Sequence, residues 1–200
     1  TLNAAALATI IYTSGTTGMP KGCVLTHGNM CANIAQNLDA LGAELRPGDS
    51  GLLFLPLAHA LTKVNALFAV SAGLRLSFAT DITRLPQELK LARPTTIVAV
   101  PRIFEKVFNT AHHMAHHEGK GKIFDRAAAT AIRWSQARTA GRVPPLLAIE
   151  HALFDKLVYG KLRSVFGNKL KFAISGGAPL GQRLGHFYRG IGVMVLEGYG

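Results

Sequence analysis

The stretch Leu7-Ala8-Thr9-Ile10-Ile11-Tyr12-Thr13-Ser14-Gly15-Thr16-Thr17-Gly18-Met19-Pro20-Lys21-Gly22 decides how the rest of the chain is read. Leu7 to Tyr12 is a short apolar run containing Ile10 and Ile11, which predicts a buried strand. The strand enters a loop of glycine and hydroxyl residues, after which Thr26 or Asn29 can cap a helix running to about Leu41. The same alternation continues downstream. Arg46-Pro47-Gly48-Asp49 is a turn, Gly51 to Leu55 a strand ending at Pro56, and Leu61 to Ala72 an apolar helix stopped by Gly73. Leu74 to Ala79 reads as a strand and Leu85 to Ala92 as a helix stopped near Pro94. Thr95 to Val100 is rich in β-branched residues and ends at Pro101, the pattern of a strand. Phe104 to about Ala140 is helical with a break near Gly119 and Gly121, and Leu146 to Phe166 is a further helix after Pro144-Pro145. Leu170 to Ile174 is a strand, Leu180 to Tyr188 a short helix, and Val193 to Leu196 a last strand.

Strands alternating with helices predict an α/β fold of mainly parallel sheets flanked by helices. Ligands in such folds gather at the carboxyl ends of the strands. Three polar or glycine-rich turns follow strands directly: Thr13 to Gly22, Ser175 to Ala178, and Gly198 to Gly200. No internal repeat or low-complexity segment occurs.

The first of these turns has the chemistry of a phosphate cradle. Gly15, Gly18 and Gly22 permit the tight or left-handed backbone that gathers N–H groups into a nest. Thr13, Ser14, Thr16 and Thr17 supply hydroxyls, and Lys21 a compact positive charge preceded by the restricting Pro20. It is not a Walker A loop, which would need Gly at position 20 and Ser or Thr at 22, and it is not G-x-G-x-x-G. Composition alone leaves a polar surface loop as an equal alternative.

Hydrophobic residues make up 48% of the 200, and charged residues 16%, which suits strands buried on both faces. No run of eighteen apolar residues and no secretory signal is present. The chain begins at Thr1 and stops on an apolar strand and a turn, so it is expected to be an internal fragment. Net charge is +11, but the basic residues are spread thinly from Lys21 to Arg189 and do not alternate with aromatics. That distribution argues against a nucleic-acid partner and leaves attraction to an anionic membrane surface open.

Cys23 and Cys31 are too few for a disulfide framework and point to a reducing compartment. With His27 they form Cys-x3-His-x3-Cys, a spacing that converges on a metal only along one continuous helix. Gly22, Val24 and Thr26 imply that the first half is extended, so both thiols are expected to be ordinary buried ones. His112, His113, His116 and His117 contain two i, i+4 pairs, a zinc-capable spacing. No carboxylate or cysteine completes a convincing site, so a solvated helix end is expected. Trp134 is expected to pack in the core.

The order of residues is more specific than their composition. Tyr12 to Gly22 resembles, residue for residue, the AMP-binding signature of the acyl-adenylating superfamily. Leu55-Pro56-Leu57-Ala58-His59 resembles that family's second core motif, and Val100 to Val107 a segment typical of fatty acyl-CoA ligases. Ser175 to Leu180 resembles its adenine-side loop, and Glu197-Gly198-Tyr199-Gly200 the start of a motif that normally continues into Thr-Glu. The long helical stretch between Phe104 and Phe166 points to the long-chain fatty acid branch, most like the bacterial ligases.

The resemblance implies that residues 1–200 are part of a large N-terminal adenylating domain, with the C-terminal domain outside the chain. It implies activation of a fatty acid by ATP through an acyl adenylate, then transfer to coenzyme A, with Mg²⁺. Lys21 and His59 are the implied catalytic residues, and Thr13 the implied Mg²⁺ ligand. Thr13, Ser14, Gly15, Thr16, Thr17, Gly18 and Lys21 would hold phosphates. Gly176, Gly177, Ala178, Glu197, Gly198, Tyr199 and Gly200 would line the adenine side, with Tyr199 stacking on the ring. Glu197 departs from relatives that carry Gln, and facing a nucleotide it would need a backbone or adenine hydrogen-bond donor. Fatty acid, ATP and coenzyme A are the expected small-molecule partners, and the cytoplasm, with peripheral contact to the membrane, the expected location. Another carboxylate-adenylating enzyme, or a basic phosphate- or lipid-binding module without turnover, are the alternatives.

Overall fold

The computed structural model describes residues 3–13 and 18–198. The chain divides after Thr80 into two compact units.

In the first unit, β1 (Leu7–Thr13) and β2 (Lys21–Thr26) form an antiparallel ribbon in which Ile10 lies opposite Val24 and Thr13 opposite Lys21. This corrects the expectation of a buried strand at Leu7 to Tyr12. In the described structure β1 pairs with β2 alone, and Leu7, Ile10 and Tyr12 are exposed. The apolar run marks a strand, but no sequence period reports how many faces are covered. Gly22 is fixed by contact, because a Cβ there would lie 2.8 Å from Ile10 Cγ2.

Helix α1 (His27–Leu41) starts where the sequence places it, and both candidate caps act together. The Thr26 side chain accepts from Asn29 N, while Asn29 Oδ1 accepts from Thr26 N at 3.0 Å, a reciprocal capping box. Cys23 sits on β2 and Cys31 on α1, so the Cys-His-Cys spacing does not fall on one helix. Both thiols are exposed, which corrects the expectation of burial. The Arg46–Asp49 turn closes on itself through Asp49 N to Arg46 O at 3.0 Å and Arg46 N to Asp49 Oδ2 at 2.7 Å. It leads into β3 (Ser50–Leu53), then α2 (Ala60–Ser71), then β4 (Arg75–Phe78), which runs parallel to β3.

The second unit opens with α3 (Leu85–Ala92), which ends in a left-handed Arg93 (φ 46°) just before Pro94. Strands β5 (Thr96–Ala99), β6 (Phe172–Gly176) and β7 (Met194–Gly198) lie side by side, all parallel. Every residue of β5 is buried, as a strand covered on both faces requires. Between β5 and β6 run α4 (Pro101–His117), α5 (Gly121–Thr139), α6 (Pro145–Phe154) and α7 (Gly160–Val165). The single helix expected over 146–166 is thus interrupted, because Asp155–Tyr159 winds as a π-helical turn. Helix α8 (Gln182–Gly190) joins β6 to β7. Parallel strands flanked by helices are the α/β class read from the sequence.

The core of this unit is aromatic. Phe104, Phe166, Phe187, Tyr159 and Tyr188 are all nearly inaccessible. The Tyr188 hydroxyl donates to Phe104 O at 2.6 Å and that of Tyr159 to Ala127 O at 2.7 Å, so each buried phenol has its acceptor. Burial pushes both phenols above their ordinary pKa. Helices α5 and α8 approach so closely at Gly190 that an added Cβ would lie 2.5 Å from the Ala131 carbonyl carbon. Trp134 is half-buried rather than in the core: it stacks on His151 at 4.1 Å, with the Arg138 guanidinium 5.0 Å from its ring centroid. Among the described residues, no helix is long and apolar enough to cross a membrane.

Candidate active site

The predicted phosphate loop is a hairpin loop. Its base is the last register pair of the ribbon, Thr13 opposite Lys21, where Thr13 Oγ1 donates to Lys21 O at 3.4 Å. That hydrogen bond uses the hydroxyl proton and leaves the oxygen lone pairs free to accept or to ligate. Gly18 has φ 105°, a conformation few side chains adopt, so the loop needs glycine there. Thr13, Gly18 and Lys21 are exposed. Ser14, Gly15, Thr16 and Thr17 lie outside the described residues.

In the same unit, His59 is the exposed residue at the N-cap of α2, after the strand β3 that the sequence places before it. Its imidazole makes no capping hydrogen bond, and its N–H donates to Pro56 O at 3.1 Å. One turn on, Lys63 Nζ donates to Thr9 Oγ1 at 2.8 Å and ties α2 to the strand that carries the loop. Sequence reasoning missed this link, since nothing in the spacing pairs positions 9 and 63.

The other candidate residues gather in the second unit at the carboxyl ends of β6 and β7. Gly176 is the last residue of β6 and lies opposite Gly198, the last of β7, so two of the three turns singled out in the sequence are neighbours. Gly177 follows with φ 83°. A Cβ on Gly198 would lie 3.2 Å from Ile174 Cγ2, so the strand pair is close at this point. Ser175 is buried, and its Oγ has no hydrogen-bond partner among the described residues. Glu197, opposite Ser175 in register, reaches across the connection into α8 and accepts from Leu180 N at 2.6 Å. The backbone donor that this carboxylate requires is therefore present, and it belongs to the loop containing Gly177 and Ala178. Tyr199 and Gly200 lie outside the described residues.

Each unit thus holds a coherent part of the predicted set: Thr13, Gly18, Lys21 and His59 in the first, Gly176, Gly177, Ala178, Glu197 and Gly198 in the second. Glycine turns at the carboxyl ends of parallel strands lie where α/β folds commonly bind ligands.

The AMP-binding enzyme family matches residues 1–200, and the chain belongs to that family. It is 50% identical over 193 residues to the long-chain-fatty-acid–CoA ligase FadD15 of Mycobacterium tuberculosis, an alignment that covers 96% of this chain and 32% of that protein. It is 36% identical to the peroxisomal long chain acyl-CoA synthetase 7 of Arabidopsis thaliana, covering 97% of this chain and 27% of the relative. The chain therefore spans about a third or less of the length of these relatives. Among solved structures, the adenylation domain of a carboxylate reductase from Mycobacterium chelonae superposes with a TM-score of 0.71 at 25% identity, over 99% of this chain and 27% of that one. That of a carboxylic acid reductase from Segniliparus rugosus, bound to AMP and a carboxylic acid, superposes at 0.67 with 22% identity, over 98% and 27%, a likeness of fold.

Proposed function

We propose that the protein containing this chain is a long-chain fatty acid–CoA ligase that works through an acyl adenylate, with residues 1–200 forming part of its N-terminal adenylating domain. The observation that carries the reading is the 50% identity over 193 residues to a long-chain-fatty-acid–CoA ligase. In the proposed reaction the fatty acid carboxylate attacks the α-phosphate of ATP, pyrophosphate leaves, and the acyl adenylate forms. The coenzyme A thiolate then attacks the acyl carbonyl and AMP departs.

Two anions meet in the first step, so neutralising charge is the main physical demand on the protein. Lys21, at the base of the hairpin loop, supplies a point charge for the β- and γ-phosphates. Ser14, Gly15, Thr16, Thr17 and Gly18 complete the phosphate grip in this reading. His59, exposed at the start of α2, orients the carboxylate near the α-phosphate. Gly176, Gly177 and Ala178 let adenine approach the backbone, and Tyr199 and Gly200 continue that wall. Glu197 acts indirectly, by holding Leu180 N and thereby the Gly177–Ala178 loop.

Mg²⁺ fits the first unit, because Thr13 Oγ1 donates its proton to Lys21 O and so presents lone pairs, the hard oxygen donor that this cation prefers. Bound beside the phosphates, Mg²⁺ would supply charge neutralisation. The cytoplasm is the location proposed, and the net charge of +11 favours attraction to an anionic membrane surface, where a long-chain acid partitions.

The test is to incubate the full-length protein with ATP, Mg²⁺ and palmitate but no coenzyme A, then look for palmitoyl-AMP by mass spectrometry. Accumulation of the adenylate supports the reading. Turnover with short or aromatic acids but not palmitate would reassign the substrate, and ATP binding with no acid-dependent product would leave only a phosphate-binding module.

A further inference from the structure

The histidine-rich end of α4 is solvent-accessible, as expected, but the fold adds a carboxylate to it from the next helix. Asp125, in the second turn of α5, faces the i, i+4 pair His112 and His116. Its Oδ1 lies 3.1 Å from His112 Nε2 and 3.3 Å from His116 Nε2, while Oδ2 lies 3.2 Å from His116 Nε2. The edges of a zinc tetrahedron are about 3.3–3.4 Å when the bonds are about 2.0–2.1 Å. The two edges that run from the carboxylate to the imidazoles therefore already match that spacing, and the three ligand atoms all lie within 4.8 Å of one another. Among the described residues, His112, His116 and Asp125 are the one group of three histidine, cysteine or carboxylate side chains whose ligand atoms converge in this way.

The packing aims these ligands. A Cβ at Gly121, the first residue of α5, would collide with the His116 ring on its Nδ1 side, lying 2.5 Å from Cε1 and 2.6 Å from Cγ. Glycine at 121 lets the ring lie flat against α5 with Nε2 turned to Asp125. The His112 ring stacks on Phe108 (6.2 Å, 17°) and meets Phe124 edge-on (5.6 Å, 78°), contacts that restrict the ring whose Nε2 meets Asp125. The two imidazoles are 4.2 Å apart, centroid to centroid. All three side chains reach solvent, so an ion has an entry path and room for water in its open position.

We infer that His112, His116 and Asp125 form a binding site for a divalent late-transition cation, zinc above all, which clamps α4 to α5. Two neutral imidazoles and one carboxylate select zinc and its neighbours over Mg²⁺ and Ca²⁺, which prefer all-oxygen sets. A cation bound across two helices binds the folded state and not the unfolded one, and so stabilises the hairpin. None of the three residues is among those assigned to the ligase reaction, and the test of the site does not depend on turnover.

Untagged full-length protein stripped of metal is titrated with zinc against a chromophoric chelator. The wild type is expected to take up zinc at this site, and His112→Ala, His116→Ala and Asp125→Asn are each expected to weaken that binding at least tenfold. Removing a partner that merely orients a ligand already costs about 10–100-fold. The His113→Ala/His117→Ala double variant, on the same helix, is expected to stay within about twofold of wild type. Zinc is also expected to slow hydrogen exchange in α4 and α5 of the wild type but not of Asp125→Asn, whose folding is checked by circular dichroism. Absence of zinc uptake by the wild type overturns the proposal. So does binding undiminished in the His112→Ala/His116→Ala double variant, or lost equally on substitution of His113 and His117.

Discussion

Two alanine substitutions on α8 are expected to move stability in opposite directions, although the chemical change is the same. At Gly190 the new Cβ would lie 2.5 Å from the Ala131 carbonyl carbon and 2.9 Å from its Cα, and both atoms belong to the backbone of α5. Ordinary carbon–carbon contact is about 3.5–4.0 Å, so α8 and α5 must part by about 1 Å. Overpacking of this kind costs about 1–3 kcal/mol, and a gap of that size forfeits a quarter to a half of each dispersion contact across it. Leu184, Phe187 and Tyr188 are the buried side chains of α8 that would lose such contacts, which favours the upper part of that range. Helix propensity returns less than about 1 kcal/mol at a helix end. The net expectation is a loss of about 2–3 kcal/mol, or roughly 30- to 150-fold more frequent local opening.

Gly185, on the same helix, has nothing within 4 Å of its added Cβ. There only propensity acts, and Gly185→Ala is expected to gain up to about 1 kcal/mol, or roughly fivefold more protection. Hydrogen exchange of peptides spanning α5 and α8, in the full-length protein, reads both effects. If Gly190→Ala stays within about twofold of wild type, or both variants shift the same way, the packing argument is wrong.

Three further expectations rest on single contacts. Glu197→Ala removes the acceptor for Leu180 N and is expected to raise the KM for ATP by about five- to tenfold, the equivalent of about 1 kcal/mol, whereas Glu197→Gln keeps an acceptor and stays near wild type; steady-state kinetics in which both variants behave alike would contradict the positioning role. Asp155 is held below the ordinary carboxylate range, first by its hydrogen bond from Arg163 and also by that residue's charge. A carboxylate with a lowered folded pKa contributes stability that is present above its unfolded pKa and is lost as pH falls through the folded value. Asp155→Asn is therefore expected to flatten the acid limb of a plot of thermal midpoint against pH, modestly because both partners are partly exposed, and an unchanged acid limb would remove Asp155 from that account. Tyr199→Ala is expected to raise the requirement for ATP more than that for fatty acid, and the reverse order in KM measurements would contradict adenine stacking.

What the sequence makes legible is what local chemistry encodes. The β-branched run ending at Pro101 becomes β5, and the boundaries read for α3 are those observed. Thr26 and Asn29 cap α1 because a hydroxyl and an amide three residues apart satisfy each other's backbone. The glycine turns at 176 and 198 are visible as turns, but their adjacency depends on strand order, which no local pattern carries. β1 reads as buried because its residues are apolar, while its exposure follows from its pairing with β2 alone. The histidine cluster shows the same divide. Its i, i+4 spacing is plain in the sequence, but the carboxylate facing it comes from the following helix.

The loop closed by Thr13 and Lys21 is proposed to serve acyl adenylation. The decisive measurement is fatty-acid-dependent exchange of labelled pyrophosphate into ATP, in full-length wild type and Lys21→Ala. Exchange is expected to require a long-chain acid in the wild type and to fall at least about 100-fold in the variant, the loss seen when one donor to developing charge is removed. Exchange equal in the two proteins, or independent of the acid, would contradict it.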